Sequence, residues 1–216
     1  MIPQCLASYG ELSVLDLRLN NFYGSIPHTF SRSYRLASLN LNGNQLEGPL
    51  PPSLANCSSL QVLNVGNNRI EDGFPHWLAT LPDLQILILR SNRFHGPIDD
   101  SQTRIPFPKL RILDISHNSF TGLLPTTYFE NFQAMMQGEN DRHALEVMGD
   151  GIHQDHMTLT MEEIEIKFEE IPTSVKAIVL SNNQFRGKIP EAALGKLKGL
   201  KFLDFSHNNL KGHIPS

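Results

Sequence analysis

Apolar and polar residues alternate in short stretches that recur along the chain at a nearly constant interval. In the stretch that begins at Leu12, Leu15 and Leu17 are apolar. Asp16 and Arg18, which alternate with them, are polar. This period of two predicts a short strand with one face buried and the other turned to solvent. Further stretches of this kind begin at Leu36, Leu60, Leu84, Leu110, Val175 and Leu200.

An asparagine follows every stretch, and a glycine and a proline follow most of them. An amide side chain both donates and accepts hydrogen bonds, so we expect each asparagine to satisfy backbone groups where the chain turns inward. Glycine permits backbone torsions that other residues resist, and proline stiffens the returning segment. The third copy places its glycine at Gly73, and the fourth has Asp99 in place of proline. The asparagines are residues 20, 44, 68, 92, 118, 183 and 208, and the other glycines are 24, 48, 96, 122, 187 and 212.

The copies share one order of residues and, outside one long break, nearly one spacing. Those that begin at Leu12, Leu36, Leu60 and Leu84 are equally spaced, and the next begins two positions later than that spacing predicts. This period and the order LxxLxLxxNxL resemble the leucine-rich repeat, and the NxLxGxIP ending resembles its plant extracellular class. The resemblance implies an α/β fold. It would be a right-handed curved solenoid with parallel strands on its concave face, interrupted by a non-repeat island.

The repeats stop after Pro125 and resume at Val175. The interval from Leu110 to Val175 is more than twice as long as an ordinary repeat. The island, residues 126–174, carries eleven acidic and two basic residues, so its net charge is −9 while the rest of the chain carries +5. We call this segment the insert. The predicted division is therefore the tail of one repeat plus five repeats over 1–125, the insert over 126–174, and two further repeats over 175–216.

Two amphipathic stretches predict that the insert docks on the solenoid. Thr127 and Glu130 have the spacing of a capping box, so we expect one short helix that ends near Met136. Its apolar face would hold Tyr128, Phe129, Phe132, Met135 and Met136.

Further along, the alternation over 157–168 predicts a hairpin if Glu162 and Glu163 form a two-residue turn. The alternative is two unrelated strand fragments, because Glu-Glu is poor turn chemistry. In the hairpin, one face would hold Met157, Leu159, Met161, Ile164, Ile166 and Phe168.

The insert and its flanks carry a closer resemblance. The stretches LPTTYFENFQAMM and GDGIHQDHMTLTMEEIEIKFEEIPTSVKAIVLSNNQFRGKIP are similar to the island and following repeats of plant receptor-like proteins, which lack a kinase. This resemblance runs from Ile2 to Ser216. It implies a ligand-sensing module on the extracellular side of the plasma membrane, acting in defence signalling. The implied partners are a peptide or microbial protein ligand and co-receptor kinases.

We interpret the chain as an internal fragment of such an ectodomain. Two alternatives stay open. One is a soluble inhibitor of a microbial cell-wall enzyme, against which the island argues because inhibitors of this repeat type run uninterrupted. The other is a truncated product without independent function.

Composition and motifs argue against other classes of protein. The formal charge of −4 does not suggest a nucleic-acid or membrane-surface partner, and no stretch has the ~18 apolar residues of a membrane helix. Cys5 and Cys57 would lie about 10 Å apart, beyond the ~7 Å limit for a disulfide, so we expect free thiols. His153 and His156 match no zinc signature. No nucleophile motif or phosphate loop is present, and we expect no catalytic site, cofactor or metal.

The candidate ligand-binding residues are polar positions on the solvent side of the strands. Ile88 and Arg90 depart from the small polar pattern of their columns and lie together in the middle of the array, so they are the stronger candidates. The whole set is Asp16, Arg18, Asn40, Asn42, Asn64, Ile88, Arg90, Asp114 and His117.

Two further kinds of site are predicted. Glu162, Glu163 and Glu165 would form part of an acidic ledge that a basic patch on a partner recognises. Asn56 begins an N-glycosylation sequon with Cys57 and Ser58. The alternative for Asn56 is that its side chain is buried.

Overall fold

A computed structural model describes the chain over residues 1–8, 10–30, 35–100, 103–138, 157–161, 164–168 and 174–213. Within these residues, each repeat contributes one strand to a continuous parallel sheet of seven strands. The pairing keeps Leu15, Leu39 and Leu63 in register, as a repeat of constant length requires. Numbered in chain order, the strands are β1 (Val14–Asp16), β3 (Ser38–Asn40), β5 (Val62–Asn64), β7 (Ile86–Ile88), β9 (Ile112–Asp114), β13 (Ala177–Val179) and β15 (Phe202–Asp204).

The sheet continues without a gap across the insert. Strand β9 pairs directly with β13, so that Leu113 is opposite Ile178 although the whole insert separates them in sequence. This parallel stacking of one strand per repeat confirms the predicted leucine-rich-repeat solenoid.

A second set of short strands runs along the side of the solenoid in two groups. Most of them end at or near the repeated glycine, and those glycines adopt positive φ, from 76° at Gly24 to 105° at Gly212. The first group is β2 (Tyr23–Gly24), β4 (Gln45–Gly48) and β6 (Arg69–Ile70), and the second is β8 (His95–Pro97), β10 (Ser119–Gly122), β14 (Gln184–Gly187) and β16 (Asn209–Leu210).

The side sheet is interrupted between β6 and β8, where the third repeat departs from the pattern. Asp72 occupies the position that is glycine in the other repeats, and it does not adopt positive φ. Its carboxylate instead accepts hydrogen bonds from the amides of Leu50 at 3.1 Å and Gly73 at 2.8 Å. The displaced glycine of the sequence therefore marks a real change in backbone path.

The repeated asparagines satisfy backbone groups, as predicted, and the groups that they bind lie partly in the preceding repeat. Asn44 accepts a hydrogen bond from the amide of Phe22 at 3.0 Å and donates to the carbonyl of Leu17 at 2.9 Å, both in the preceding repeat. Asn68, Asn92, Asn118, Asn183 and Asn208 make the same pair of contacts. Because each side chain satisfies one donor and one acceptor of its neighbour, the asparagines form a continuous ladder.

The predicted helix of the insert is present in altered form. Two four-residue helices, α1 (Thr126–Phe129) and α2 (Gln133–Met136), meet at Phe132. The predicted capping box is wrong, because α1 begins after Pro125 and no side chain caps it. Thr127 instead donates a hydrogen bond to Asp100. A third helix, α3 (Glu191–Leu194), and 3₁₀ helices at Gln4–Ser8, Pro52–Asn56 and His76–Thr80 complete the helical elements of the described residues.

The apolar face of these two helices packs into the core, as predicted. Tyr128, Phe129, Phe132 and Met135 are at most 2% exposed, and Met136 packs at the edge of the same cluster. The ring centroids of Phe107 and Tyr128 are 5.7 Å apart, so the helical part of the insert shares one core with the repeats. Burial of several aromatic side chains is a large stabilising contribution.

The predicted hairpin is also present. Strands β11 (Met157–Met161) and β12 (Ile164–Phe168) are antiparallel, and Met161 pairs with Ile164, which leaves a two-residue connection. This register confirms the pairing and excludes unrelated strand fragments. The turn residues Glu162 and Glu163 lie outside the described residues.

Candidate functional site on the concave face

Three lanes of side chains run across the strands on the face of the sheet that is turned away from the core. Leu15 and its equivalents point into the core, so the residues between them point the other way. The first lane is Asp16, Asn40, Asn64, Ile88, Asp114, Val179 and Asp204; the second is Arg18, Asn42, Gly66, Arg90, Ser116, Ser181 and Ser206; and the third is Leu19, Gly43, Asn67, Ser91, His117, Asn182 and His207.

The third lane has an unusual backbone conformation that the sequence analysis missed. The residue immediately before each repeated asparagine adopts positive φ, between 51° and 70°. Non-glycine residues rarely adopt this region, yet His117, Asn182 and His207 all do so here. His117 and His207, which have this conformation, are exposed.

Hydrogen bonds within the lanes fix the polar side chains. Asn67 donates to Asn42 at 2.7 Å, and Asn64 accepts from the amide of Gly66 at 3.1 Å. At the N-terminal end, Asp16 accepts from the amide of Arg18 at 3.1 Å and forms an ion pair with its side chain at 3.2 Å. The polar side chains of the lanes are therefore ordered.

The candidate residues divide into accessible and buried groups. Asp16 and His117 are exposed, and Arg18, Asn42 and Arg90 are partly exposed. The prediction that the whole set faces solvent is wrong for the others. Those buried residues are Asn40, Asn64, Ile88 and Asp114, with exposed fractions of 7%, 8%, 2% and 0%.

Ile88 belongs to an apolar patch on the concave face that is separate from the main core. Six of its buried members lie on β5, β7, β9 and β13, and a seventh, Val175, precedes β13. Their exposed fractions do not exceed 7%, although they lie on the side of the sheet opposite the core. The members are Val62, Ile86, Ile88, Ile112, Val175, Ala177 and Val179, with Phe202 packed against them. Another part of the folded chain must therefore cover this patch.

Asp114 is the most perturbed ionisable group of the first lane. Its Oδ1 accepts hydrogen bonds from the amide of Ser116 at 3.0 Å and from the Ser116 hydroxyl at 2.6 Å. Burial raises the pKa of Asp114, the two Ser116 hydrogen bonds and the charge of Arg90 oppose this, and the charge of Asp204 adds to it. The raised pKa reflects the cost of a carboxylate in a site that excludes water.

His117 lies beside this cluster on the third lane. Partial burial lowers its pKa, and the neighbouring charges of Arg90 and His207 act in the same direction. Its Nε2 is 3.4 Å from the side-chain nitrogen of Asn182, the equivalent residue of the next repeat. A neutral imidazole is therefore favoured at this position.

Hydrogen bonds and an ion pair join the helical part of the insert to the two repeats that follow it. The amide of Gly199 donates to the carbonyl of Met135 at 2.9 Å, and the ammonium group of Lys176 donates to the carbonyl of Gln137. Lys196 forms an ion pair with Glu130 at 3.1 Å. These contacts place the helical part of the insert against the two repeats that follow it.

Several predicted sites have a different status. Glu162 and Glu163 lie outside the described residues, as do His153 and His156, and for Glu165 only the backbone is described. Within the part of the chain that the structure describes, no group of three or more His, Cys, Asp or Glu residues could hold a metal ion. Nor does any helix there have the length and apolar character to cross a membrane.

Asn56 is exposed at the end of its 3₁₀ helix, so the alternative of a buried side chain is wrong. Cys5 and Cys57 are both free thiols, as predicted. Burial raises the pKa of Cys57 to about 11. That thiol is therefore protonated at neutral pH and unreactive.

Comparisons with known proteins agree with this architecture. The family described as Leucine rich repeat matches residues 50–94, and a second model, Leucine Rich Repeat, matches residues 35–57, 109–130 and 199–216. The leucine-rich-repeat ectodomain of the plant membrane receptor kinase GASSHO1/SCHENGEN3 from Arabidopsis thaliana, solved in complex with CASPARIAN STRIP INTEGRITY FACTOR 2, superimposes with a TM-score of 0.74 and 27% identity. That match covers 99% of this chain and 20% of the receptor chain.

A second receptor gives a similar result. The Arabidopsis receptor kinase HAESA, solved with the peptide hormone IDA and the co-receptor SERK1, superimposes with a TM-score of 0.72 and 29% identity, over 99% of this chain and 28% of that chain. The repeats, the sheet and the asparagine ladder thus define the chain as a leucine-rich-repeat protein.

Proteins of similar sequence indicate which kind of leucine-rich-repeat protein this chain resembles. Receptor-like protein 34 from Arabidopsis thaliana is 45% identical over 113 residues, which cover 51% of this chain and 11% of that protein. Receptor-like protein 53 from the same plant is 46% identical over 113 residues, again 51% of this chain and 11% of that protein. About half of the chain is therefore similar to plant receptor-like proteins, and the matched stretch spans about a tenth of the length of these relatives.

Proposed function

We propose that the chain is a ligand-sensing part of a plant receptor-like protein, located on the extracellular side of the plasma membrane. The observation that carries this proposal is the unbroken concave sheet with its ordered polar lanes. The same architecture occurs in structural neighbours solved with peptides, such as HAESA with the peptide hormone IDA. By analogy with these neighbours, the ligand is a peptide. On the resemblance to receptor-like proteins alone, we extend the proposal to a microbial protein as the ligand and to defence signalling as the response.

The accessible candidate residues define where such a ligand would bind. Arg18 and Asn42 lie at one end of the second lane, and Arg90 lies at its centre next to His117. A peptide laid across the strands could contact these side chains in succession. Because their own hydrogen bonds and neighbours fix them, little side-chain entropy is lost on binding.

Peptide selection tests this proposal directly. Peptides are selected from a random twelve-residue library on the full chain and then measured by calorimetry against two variants. Arg90→Ala should weaken binding at least tenfold, because it removes a central lane residue. Lys109 lies outside the three lanes, and its ammonium group pairs with Asp83 at 2.6 Å. Lys109→Ala should therefore leave the peptide affinity within twofold of that of the native chain. Equal losses in both variants would refute a concave binding face.

The proposed partners are co-receptor kinases, as the solved complex of HAESA with SERK1 suggests by analogy. We assign partner docking to the acidic insert, in particular Glu162, Glu163 and Glu165. The net charge of −9 on the insert supports this assignment. Charge reversal of these three residues in the whole receptor should weaken co-receptor association, with an effect that shrinks as salt increases. Association that is unchanged at low salt would exclude the assignment.

The insert as a whole is proposed to dock on the concave face through its hairpin. The register of β11 and β12 pairs Met157 with Phe168 and Leu159 with Ile166, so apolar residues are opposite one another. The covered apolar patch on β5 to β13 offers a matching surface. Hydrogen exchange in the whole receptor provides the test, because residues 157–168 should exchange much more slowly than an unfolded peptide does.

A further inference from the structure

Basic residues are concentrated in the two repeats that follow the insert. Residues 1–125 carry nine basic and nine acidic residues, so their charges cancel. Residues 175–216 carry seven basic and two acidic residues. The net positive charge of the repeats therefore lies entirely in residues 175–216.

These basic residues lie on two flanks of the solenoid. Lys176 immediately precedes the concave strand β13, and together with Lys196 it holds the helical part of the insert. Arg186 lies on β14 of the side sheet, Lys188 follows that strand, and Lys211 follows β16. Each repeat enters the concave sheet on one flank and leaves it on the other, where the side sheet runs. The second group of cations is therefore on the flank opposite Lys176.

The three cations of the side sheet have no acidic partner within the part of the chain that the structure describes. Arg186, Lys188 and Lys211 are exposed, and no ion pair between described residues involves them. The two acidic residues of these repeats lie elsewhere, Glu191 on α3 and Asp204 on the concave strand β15. Neighbouring strands are about 5 Å apart, so the like charges of adjacent repeats repel each other. Anionic groups bound among them would offset this repulsion.

An exposed leucine lies in the same row of side chains. Leu123 is 68% exposed. A Cβ atom at Gly187 would be 2.7 Å from Cδ2 of Leu123, so the leucine lies directly on this glycine. The chain neighbours of that glycine are Arg186 and Lys188. Lys188 lies in the same way on Gly212, where a Cβ atom would be 3.3 Å from its Cγ. A single exposed leucine is common on protein surfaces, but one bordered by unpaired cations offers a partner both an apolar contact and charge pairs.

We propose that one patch on the side sheet binds an acidic segment of a partner protein, in which an apolar residue lies among the carboxylates. This side patch consists of Leu123, Arg186, Lys188 and Lys211. The carboxylates pair with the three cations, and the apolar residue packs on the leucine. The guanidinium of Arg186 can hold a carboxylate through two parallel hydrogen bonds, whereas the two lysines act as point charges. An acidic polysaccharide carries no apolar side chain, so the leucine favours a protein. This surface is separate from the concave face and goes beyond the proposed function.

The probe is a fluorescein-labelled peptide with blocked ends and the sequence Asp-Glu-Leu-Glu-Asp. Its binding to the full chain is followed by fluorescence anisotropy at low salt, because salt screens exposed charges. One control peptide replaces the acids with their amides, and a second replaces the leucine with serine. We expect saturable binding of the probe, at least tenfold weaker binding of the amide peptide and at least threefold weaker binding of the serine peptide. A probe that does not saturate, or a control peptide that binds as tightly as the probe, would overturn the proposal.

Variants of the chain locate the binding. The patch variant combines Arg186→Gln, Lys188→Gln and Lys211→Gln. The charge-matched control removes three exposed cations from other parts of the surface and combines Arg69→Gln, Arg93→Gln and Lys198→Gln. All six positions are exposed, so both variants should fold. The patch variant should weaken probe binding at least tenfold, and the control variant less than threefold. Equal losses in the two variants would contradict a defined side patch.

The leucine distinguishes a protein partner from a polysaccharide. Leu123→Ser should weaken probe binding at least threefold, and oligogalacturonate, a linear chain of carboxylated sugars, should bind more weakly than the probe. Tighter binding of oligogalacturonate, with probe affinity unchanged in Leu123→Ser, would assign the patch to an acidic polysaccharide and exclude the proposal.

This inference and the proposed function can fail separately. Arg90→Ala, which tests the concave face, should leave probe affinity within twofold of that of the native chain. A tenfold loss of probe affinity in Arg90→Ala would place the probe on the concave face and overturn the side patch. Loss of probe binding in the patch variant, with the library peptides still bound, would leave both proposals standing.

Discussion

Replacing Asn183 with alanine removes the side chain that joins the repeats on either side of the insert. Asn183 is 9% exposed and belongs to the sixth repeat. It accepts from the amide of Phe120 at 3.0 Å and donates to the carbonyl of Ile115 at 3.0 Å, both in the fifth repeat. The insert separates these partners in sequence, so this rung of the ladder bridges the longest gap in the chain.

The expected loss of stability follows from the groups left behind. Without the amide, the Phe120 N–H stays buried without its partner, at about 1 to 3 kcal/mol. The Ile115 carbonyl loses one donor but keeps a second, the side-chain amide of Asn118 at 3.1 Å. We therefore expect Asn183→Ala to lower the free energy of unfolding by about 1 to 3 kcal/mol. The matched control is Asn20→Ala at the same repeat position. Asn20 is exposed and donates only within its own repeat, to the carbonyls of Leu17 and Arg18, so its loss should be below about 1 kcal/mol.

Urea denaturation followed by circular dichroism measures the difference between the two variants. In a stack of repeats, stability is roughly a sum of repeat terms and interface terms. Weakening one interface should therefore also broaden the transition or divide it in two at the fifth repeat. Equal midpoints for Asn183→Ala and Asn20→Ala would refute the reasoning that the buried ladder holds neighbouring repeats together.

Three further predictions follow from named contacts. Burial raises the pKa of Asp114, so its contribution to stability is full below the unfolded pKa of about 3.9 and is lost as pH rises through the folded pKa. Urea denaturation at a series of pH values should show Asp114→Asn gaining stability over the native chain as pH rises. Phe132→Ala should cost about 3 to 5 kcal/mol in thermal unfolding because that ring is fully buried against Phe107, whereas exposed Gln133→Ala should cost little. Gly48→Ala should cost about 1 to 2 kcal/mol in the same assay because φ is 77° there; Gly138→Ala, which has equal space and no positive φ, is the control.

The structural roles of the repeated residues could be predicted from the sequence because each of these residues makes the same contacts in every repeat. The asparagines contact the preceding repeat at the same atoms each time, and the glycines take the backbone angles that only their lack of a Cβ makes easy. A constant period fixes both sets of contacts without further information. The displacement of the third repeat's glycine to Gly73 was visible in the sequence as well. Its effect on the backbone path depends on the hydrogen bond that Asp72 accepts from the amide of Leu50.

Sequence alone misplaced features that depend on packing from outside the repeat. Thr127 has a partner in Asp100, and the helix breaks at Phe132, so that α1 buries Tyr128 and Phe129 while α2 buries Met135. Ile88 was expected to face solvent, but the patch that contains it is covered.

The placement of Asp114 and Asp204 shows a third limit. These two residues, far apart in sequence, become near neighbours only because β9 pairs with β13 and the insert loops out between them. The Asp-x-Ser-His motif that is repeated at residues 114–117 and 204–207 was the signal in the sequence that could have indicated it.

The direct pairing of β9 with β13 also has an evolutionary consequence. Because the insert leaves and re-enters the solenoid at adjacent strands, its length is not constrained by the stacking of the repeats. The entropy of closing a flexible loop grows slowly, by about 0.6 kcal/mol for each doubling of length. Changing the length of the insert beyond α2 therefore costs the host array little, provided that the core residues of α1, Phe132 and α2 are kept. The sequence of the insert can therefore diverge during evolution while the repeats around it, and the surface that they present, stay the same.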